Sequence, residues 1–258
     1  MAEVLYELRG SVAWILINRP ERRNAMSVAV MRGLRDALES ASKDPAVRAV
    51  VLSGVGDRAF SAGADLTGMG PGESVVGAHD ARGLLAEVFR RLWGLGKPSV
   101  ARVRGYALAG GFGLALSCDF VIAASDAEFG TPEINVGLWP YMITVPLVRS
   151  MPARYALELM ATGRRVQADE AARIGFVNRV VPVEDLDSAV DELAAELSSK
   201  SPLIMRLGRQ SFYGVLGMDP NTALDYLQSM LTVTASSEDT AEGLAAFAEK
   251  REPQWRGR

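Results

Sequence analysis

The alternation of fully apolar short runs with helical stretches does most to limit the folds open to this chain. VAWILIN ending at Asn18, AVVLSG ending at Gly54, SVARVRG ending at Gly105 and DFVIAA ending at Ala124 read as strands. They are apolar throughout, as strands covered on both faces are, and the helix-length connections between strands favour parallel pairing. Ser27 is placed to cap a helix in which Met31, Leu34, Leu38 and Ala41 recur at helical spacing, before Asp44-Pro45 stops it. A second helix is expected from about Ala81 to Leu95. From Tyr141 onward the strand signals fade, and ARYALELMAT, LDSAVDELAAELSSK, PLIMRLGRQSF and TALDYLQSMLTV read as helices. Met205, Leu207, Met230 and Leu231 in this tail either complete an internal core or form a subunit interface, and an interface is the favoured reading.

Composition excludes several functions. At 258 residues, 48% hydrophobic and 23% charged, the chain is an ordinary globular one with enough length for a sizeable core. A net charge of −3 without local basic clustering argues against nucleic-acid binding. One cysteine, Cys118, sits in the apolar run LALSCDFVIAA and reads as buried; one cysteine and one histidine are too few for a zinc or iron–sulfur centre, so no metal is expected. Neither a signal-like N-terminus nor a run of membrane-spanning length is visible, which points to a cytoplasmic protein.

Two glycine-bearing turns stand out, AFSAGADL (59–66) and GYALAGGFGLAL (105–116). Each follows a strand and opens toward a helix, where unpaired N–H groups and the helix dipole favour negative charge. Neither has the Gly-Lys-Ser/Thr ending of a P-loop, and Gly105, Gly110, Gly111 and Gly113 do not give the G-x-G-x-x-G spacing. Taken singly, these glycines are equally compatible with tight turns and close helix packing. The stretch between Thr67 and Asp80 is glycine-rich and aperiodic, a candidate lid.

AFSAGADL, GYALAGGFGLALSCD and FGTPEINVGL, in this order and at these separations, resemble the enoyl-CoA hydratase/isomerase (crotonase) family. The similarity runs from NRPERRNAMS, through TGRRVQADEAARIGFVNRVV, to AFAEKREPQWRGR, and so covers almost the whole chain. It implies an α/β fold, a superhelix of ββα units over residues 1–195, with a helical region over 196–258 that packs homotrimers, commonly paired into hexamers. It also implies acyl-CoA substrates and no prosthetic group. By motif position, the backbone N–H groups of Ala62 and Gly110 would form an oxyanion hole and Glu133 would be the acid/base. Coenzyme A would meet Arg22, Arg23 and Ala25 at its nucleotide end, the backbone from Ala64 through Asp65 to Leu66 at the adenine, and Phe247 and Lys250 from the C-terminal helix of the same or a neighbouring subunit.

The chain departs from the family's hydratases in two places. They bring two glutamates to the substrate; here Gly113 holds the place of the first, and Glu133 of TPEINVG matches the second. Water addition benefits from two proton handlers, whereas moving a double bond needs one base that takes a proton and returns it elsewhere. Where many hydratases continue with Pro-Gly, this chain reads Leu138-Trp139-Pro140-Tyr141-Met142. Trp139, Tyr141 and Met142, with Gly113, are therefore expected to line the acyl pocket; the Tyr141 hydroxyl is either functional or part of an apolar wall. Outside the motif set, Glu133 would read as a surface carboxylate or helix cap and ERRNA as a solvated basic turn. His79 lacks the G-x-S-x-G context of a hydrolase. The favoured reading is 3-enoyl to 2-enoyl isomerisation by one glutamate, with 2-enoyl hydration, decarboxylation or a non-catalytic acyl-CoA-binding role as alternatives.

Overall fold

A computed structural model describes residues 2–65 and 74–258. The chain opens with a hairpin in which β1 (Val4–Arg9) runs antiparallel to β2 (Val12–Ile17). Helix α1 (Val28–Lys43) follows, its first turn capped by Ser27 Oγ, which accepts the Val30 N–H. Three units of one plan come next, each with a strand in a large sheet, a three-residue strand in a small sheet, and a helix or turn. They are β3 (Ala49–Gly54), β4 (Ala59–Ser61) and α2 (Val75–Trp93); β5 (Ser99–Val103), β6 (Tyr106–Leu108) and α3 (Gly110–Leu116); and β7 (Phe120–Ala124), β8 (Glu128–Gly130) and a 3-10 turn, Pro132–Val136, leading to α4 (Thr144–Ser150).

Beyond these lie α5 (Ala153–Thr162), β9 (Arg165–Gln167), α6 (Ala168–Ile174), β10 (Arg179–Val181) and α7 (Leu186–Ser198). The large sheet has the order β1-β2-β3-β5-β7-β10, parallel throughout after the first hairpin. The small sheet has the order β4-β6-β8-β9, with only β9 antiparallel.

The apolar strands are explained by burial on both sides. Val50 and Leu52 of β3 join Leu34, Leu38, Phe89 and Leu92 in the main core, while their neighbours Ala49 and Val51 pack with Trp14, Ile122, Leu186 and Val190 beneath α7. Each such side chain contributes roughly 1.5–3 kcal/mol when fully buried. Phe112, Phe129 and Phe176 form a ring cluster with centroids 5.2–5.4 Å apart, joining α3, β8 and the end of α6.

The last three helices are α8 (Pro202–Val215), α9 (Pro220–Ala235) and α10 (Glu238–Glu249). Arg209 ties α8 to the core through Asp119, with Nε and Nη2 contacts of 2.9 and 2.8 Å, and Tyr213 adds its hydroxyl at 2.6 Å. The closing residues are tied down as well: Asp239 accepts the N–H groups of Arg256 and Gly257, and Trp255 Nε1 donates to the Ser199 carbonyl. Helix α9 buries no residue, and Leu224, Leu231 and Val233 are exposed. Met205, Leu207 and Met230 are only partly covered, so none of the four tail residues singled out in the sequence enters the core.

Two expectations change. Strands β1 and β10 and the small sheet are not among the elements expected from the sequence. Helix α2 begins at Val75, capped by Ser74 Oγ, and not near Ala81, so the proposed lid is helical from Val75 onward. The earlier part of that stretch, and Leu66, lie outside the described residues.

Candidate active site

Because β4 and β6 are parallel neighbours, the turns that leave them emerge at the same end of the small sheet. The two turns touch. A Cβ on Gly63, whose φ is +91°, would lie 2.5 Å from Ala109 Cβ and 3.3 Å from the Gly110 nitrogen. Only glycine suits that position, sterically and by its dihedral. Ala109 itself has φ 51° and ψ −129°, a strained backbone for a residue with a side chain. Its N–H donates to the Gly130 carbonyl at 2.8 Å, which fixes the turn against β8.

The first turn is braced by residues 19–26. Arg23 and Asn24 both have positive φ, and the buried Asn24 side chain donates to the Val55 and Ala59 carbonyls at 3.0 and 2.7 Å while accepting the Arg19 N–H. Met26 N–H donates to the Gly63 carbonyl, Asp65 N–H to the Met26 carbonyl, and Gly63 N–H to Ser61 Oγ. The Asp65 carboxylate meets Arg19 at 2.8 Å.

This bracing decides which N–H groups are free. Ala62 N–H donates to the Arg23 carbonyl at 2.9 Å, so the donor expected from the motif is already engaged. Ala64 N–H and Gly110 N–H have no acceptor among the described residues. Gly110 is the first residue of α3, where the helix geometry leaves N–H groups unpaired. The free donor of the first turn is thus two residues beyond the expected one.

Glu133 comes from the turn after β8, the third parallel strand of the small sheet. Pro132 starts that turn, and the buried Thr131 hydroxyl anchors it by donating to the Leu159 carbonyl at 2.8 Å. Glu133 Oε2 is buried without a hydrogen-bond partner among the described residues. Burial raises its pKa above the ordinary carboxylate range, offset in part by its own backbone N–H.

Glu133, Ala62, Ala64 and Gly110 line one cavity of about 530 Å³, whose apolar walls include Leu85, Trp139, Met142 and Ile143. An oxygen that gains negative charge is stabilised by unpaired N–H donors, and a carboxylate with a raised pKa is suited to moving a proton. Trp139 and Met142 line the cavity, and Tyr141 stands at its mouth, 77% exposed. Gly113 does not line it; the wall at that place is Ile143.

Of the expected coenzyme A contacts, Arg22 and Arg23 are exposed beside the first turn, and the Arg23 guanidinium lies 5.8 Å from the Tyr106 ring centre. The Ala25 carbonyl accepts Arg19 Nη1, and the Asp65 side chain belongs to the same brace. Phe247 and Lys250 do not line the cavity; Phe247 is 86% exposed and Lys250 caps α10 in the left-handed conformation. His79 is exposed on the second turn of α2. Cys118 is buried, and burial pushes its thiol pKa up. The described residues hold no cluster of three or more metal-binding side chains.

The profile of the enoyl-CoA hydratase/isomerase family matches residues 7–258, and the chain belongs to that family. Its substrates are coenzyme A thioesters, and its fold is the crotonase fold. The chain is similar to the short-chain-enoyl-CoA hydratase of Clostridium acetobutylicum, with 37% identity over 250 residues covering 96% of this chain and 95% of that protein. It is 36% identical to the crotonyl-CoA hydratase of Syntrophomonas wolfei, covering 96% of this chain and 95% of that one. Among solved structures it resembles an enoyl-CoA hydratase of Mycobacterium smegmatis, with a TM-score of 0.94, 33% identity and 98% of both chains covered.

Proposed function

We propose that this enzyme forms a thioester enolate held by the N–H groups of Ala64 and Gly110, with Glu133 as its only proton carrier. The favoured reaction is isomerisation of 3-enoyl-CoA to 2-enoyl-CoA. The Glu133 carboxylate removes a proton from C2, and the C–H electrons pass into the conjugated dienolate, whose charge rests on the thioester oxygen. The same carboxyl then returns the proton to C4, the double bond settles between C2 and C3, and Glu133 is again ionised. The observation that carries this reading is that Glu133 is the one carboxylate lining the cavity among the described residues, while Ile143 fills the space beside Gly113.

A second reading is hydration of 2-enoyl-CoA, favoured by the activities for which the two relatives are named. Glu133 would then have to serve both the water and C2. The test is to give the purified enzyme both substrates. Isomerisation is expected to exceed hydration by at least about tenfold in kcat/KM, about 1.4 kcal/mol of transition-state preference. Faster hydration overturns the one-base isomerase.

The exposed apolar face of α9 supports a homotrimer or homohexamer, in which Phe247 and Lys250 of one subunit reach the coenzyme A of its neighbour while Arg22 and Arg23 approach from the same chain. On this reading residues 1–195 form the catalytic core and 196–258 the assembly region of a cytoplasmic protein. No helix among the described residues is long and apolar enough to cross a membrane.

A further inference from the structure

The wall of the cavity opposite in charge to Glu133 contains Arg82 of α2, the one cation that lines it among the described residues. The Arg82 guanidinium makes no hydrogen bond or ion pair among the described residues. It also stays beyond ion-pair distance of Glu133, whose Oε2 has no partner either. A cation and an acid that share a largely apolar cavity without neutralising each other leave both charges to a ligand.

Helix geometry places the cation relative to the reacting end. Leu85 Cδ2 would lie 3.3 Å from a Cβ on Gly110, so this turn of α2 packs against the turn that carries the free N–H. Arg82 precedes Leu85 by one helical turn on the same face, a rise of about 4.5 Å. Its long side chain therefore presents the guanidinium on the order of 5–10 Å from the thioester end, within reach of the far end of a short acyl group.

We infer that Arg82 selects acyl groups that carry a second, distal carboxylate, so that the preferred substrates are thioesters of short dicarboxylic acids. This rests on the proposed reading of the cavity as the acyl site. A guanidinium fork suits a carboxylate in particular, because two parallel N–H donors meet its two oxygens. In a cavity whose walls, Glu133 apart, are otherwise largely apolar, an uncharged acyl chain gives the guanidinium no charged partner, whereas a carboxylated one does.

Binding of saturated thioesters tests this without depending on turnover. Butyryl-CoA and glutaryl-CoA share the nucleotide and pantetheine and differ in the distal carboxylate. Calorimetric titration should show wild type binding glutaryl-CoA at least about fivefold more tightly, the ratio that a partly exposed charged pair supports. Arg82→Gln should remove that preference by weakening glutaryl-CoA alone, and Arg82→Lys should keep part of it. As Arg82 is exposed and makes no protein contact of this kind, both variants should fold. Equal affinity of wild type for the two thioesters overturns the inference. So does an equal loss of both in Arg82→Gln, which would assign the cation to the shared coenzyme A portion. Failure of the enolate reading would appear separately, as absent turnover of 2- and 3-enoyl thioesters with the glutaryl preference intact.

Discussion

The side chain of Ile143 fills the space that any side chain on Gly113 would need. A Cβ on Gly113 would stand 2.5 Å from Ile143 Cγ2, 2.9 Å from Ile143 Cβ and 2.9 Å from Phe89 Cζ. The missing glutamate is therefore more than a missing carboxylate, because its volume has been reassigned to a hydrophobic wall. Tyr141 is at the cavity mouth, and the atoms nearest Gly113 are those of Ile143 and Phe89.

Gly113→Ala is accordingly expected to destabilise the fold by about 1–3 kcal/mol through overpacking, and Ile143→Ala by about 2–4 kcal/mol through the void it leaves. Combined, the two should cost less than their sum by at least about 0.5 kcal/mol, since each relieves the other. Urea unfolding of the four proteins measures this, and strict additivity would show that the two residues do not compete for one space. Gly113→Glu alone should add little hydratase activity; paired with Ile143→Ala it should add more.

Glu133→Gln should lower turnover by about 10²–10⁴ while acyl-CoA affinity stays within a few-fold, because the amide keeps the shape and loses the proton acceptor. More than about a tenth of wild-type activity in this variant would mean that another base operates.

The pH dependence follows from the same carboxyl. Burial raises its pKa in the folded state above the ordinary glutamate value of 4.5. Below that value the carboxyl is protonated in both states and its burial carries no ionisation cost. As pH rises through the folded pKa, stability is lost. Glu133→Gln should therefore melt at a higher temperature than wild type at neutral pH, with the gap closing near pH 4.5. Activity needs the ionised form, so the acid limb of kcat/KM should lie above 4.5. Melting curves that run parallel across this range would remove the carboxyl from the account.

Strands β2, β3, β5 and β7 of the large sheet are readable because each is buried on both faces, which leaves an uninterrupted apolar run, whereas β10 is short and half-exposed; Ser27 is readable as a cap because its hydroxyl acts locally. Strand β1 is not, since its residues are half-covered or exposed at the sheet edge. The three-residue strands of the small sheet are too short to show any period. Helix α2 was started too late because Val75 and Val76 are exposed and break the amphipathic pattern. Motif position points to Ala62, whereas the N–H left free in that turn is that of Ala64, and the difference depends on a hydrogen bond from Ala62 to the Arg23 carbonyl, which no linear pattern contains. The contact between Gly113 and Ile143 spans two motifs and was equally hidden. Asn24 lies in ERRNA, which outside the motif set reads as a solvated basic turn, although an Asn in the left-handed region with a satisfied side chain is what such a brace requires.

If Lys250 reaches the coenzyme A of a neighbour, its loss should depend on charge and assembly. Lys250→Ala is expected to weaken coenzyme A binding in a salt-sensitive way and leave a pantetheine thioester unaffected. Sedimentation should show a trimer or hexamer for wild type and variant alike. A monomeric wild type, or equal losses for both ligands, removes Lys250 from the ligand.

If Ala64 and Gly110 act together on the substrate oxygen, Gly63, where the two turns touch, holds them in place, and a pair of glycine substitutions separates that role from simple strain. Gly63 has φ +91°, and an added Cβ would meet Ala109 Cβ at 2.5 Å and the Leu108 carbonyl oxygen at 2.9 Å. Gly175 has φ +100°, and a Cβ there would meet nothing within 4 Å. Alanine at either position carries a backbone penalty of about 1–2 kcal/mol. Only at position 63 must the two turns also move apart. Gly175→Ala should therefore lose stability and keep its kcat, whereas Gly63→Ala should lose stability and also about 10²-fold in kcat, the usual effect of displacing one oxyanion donor. Activity per folded molecule, from kcat corrected by the folded fraction in circular dichroism, is the deciding measurement. A Gly63→Ala enzyme with wild-type kcat per folded molecule would show that the two N–H groups do not act together on the substrate oxygen.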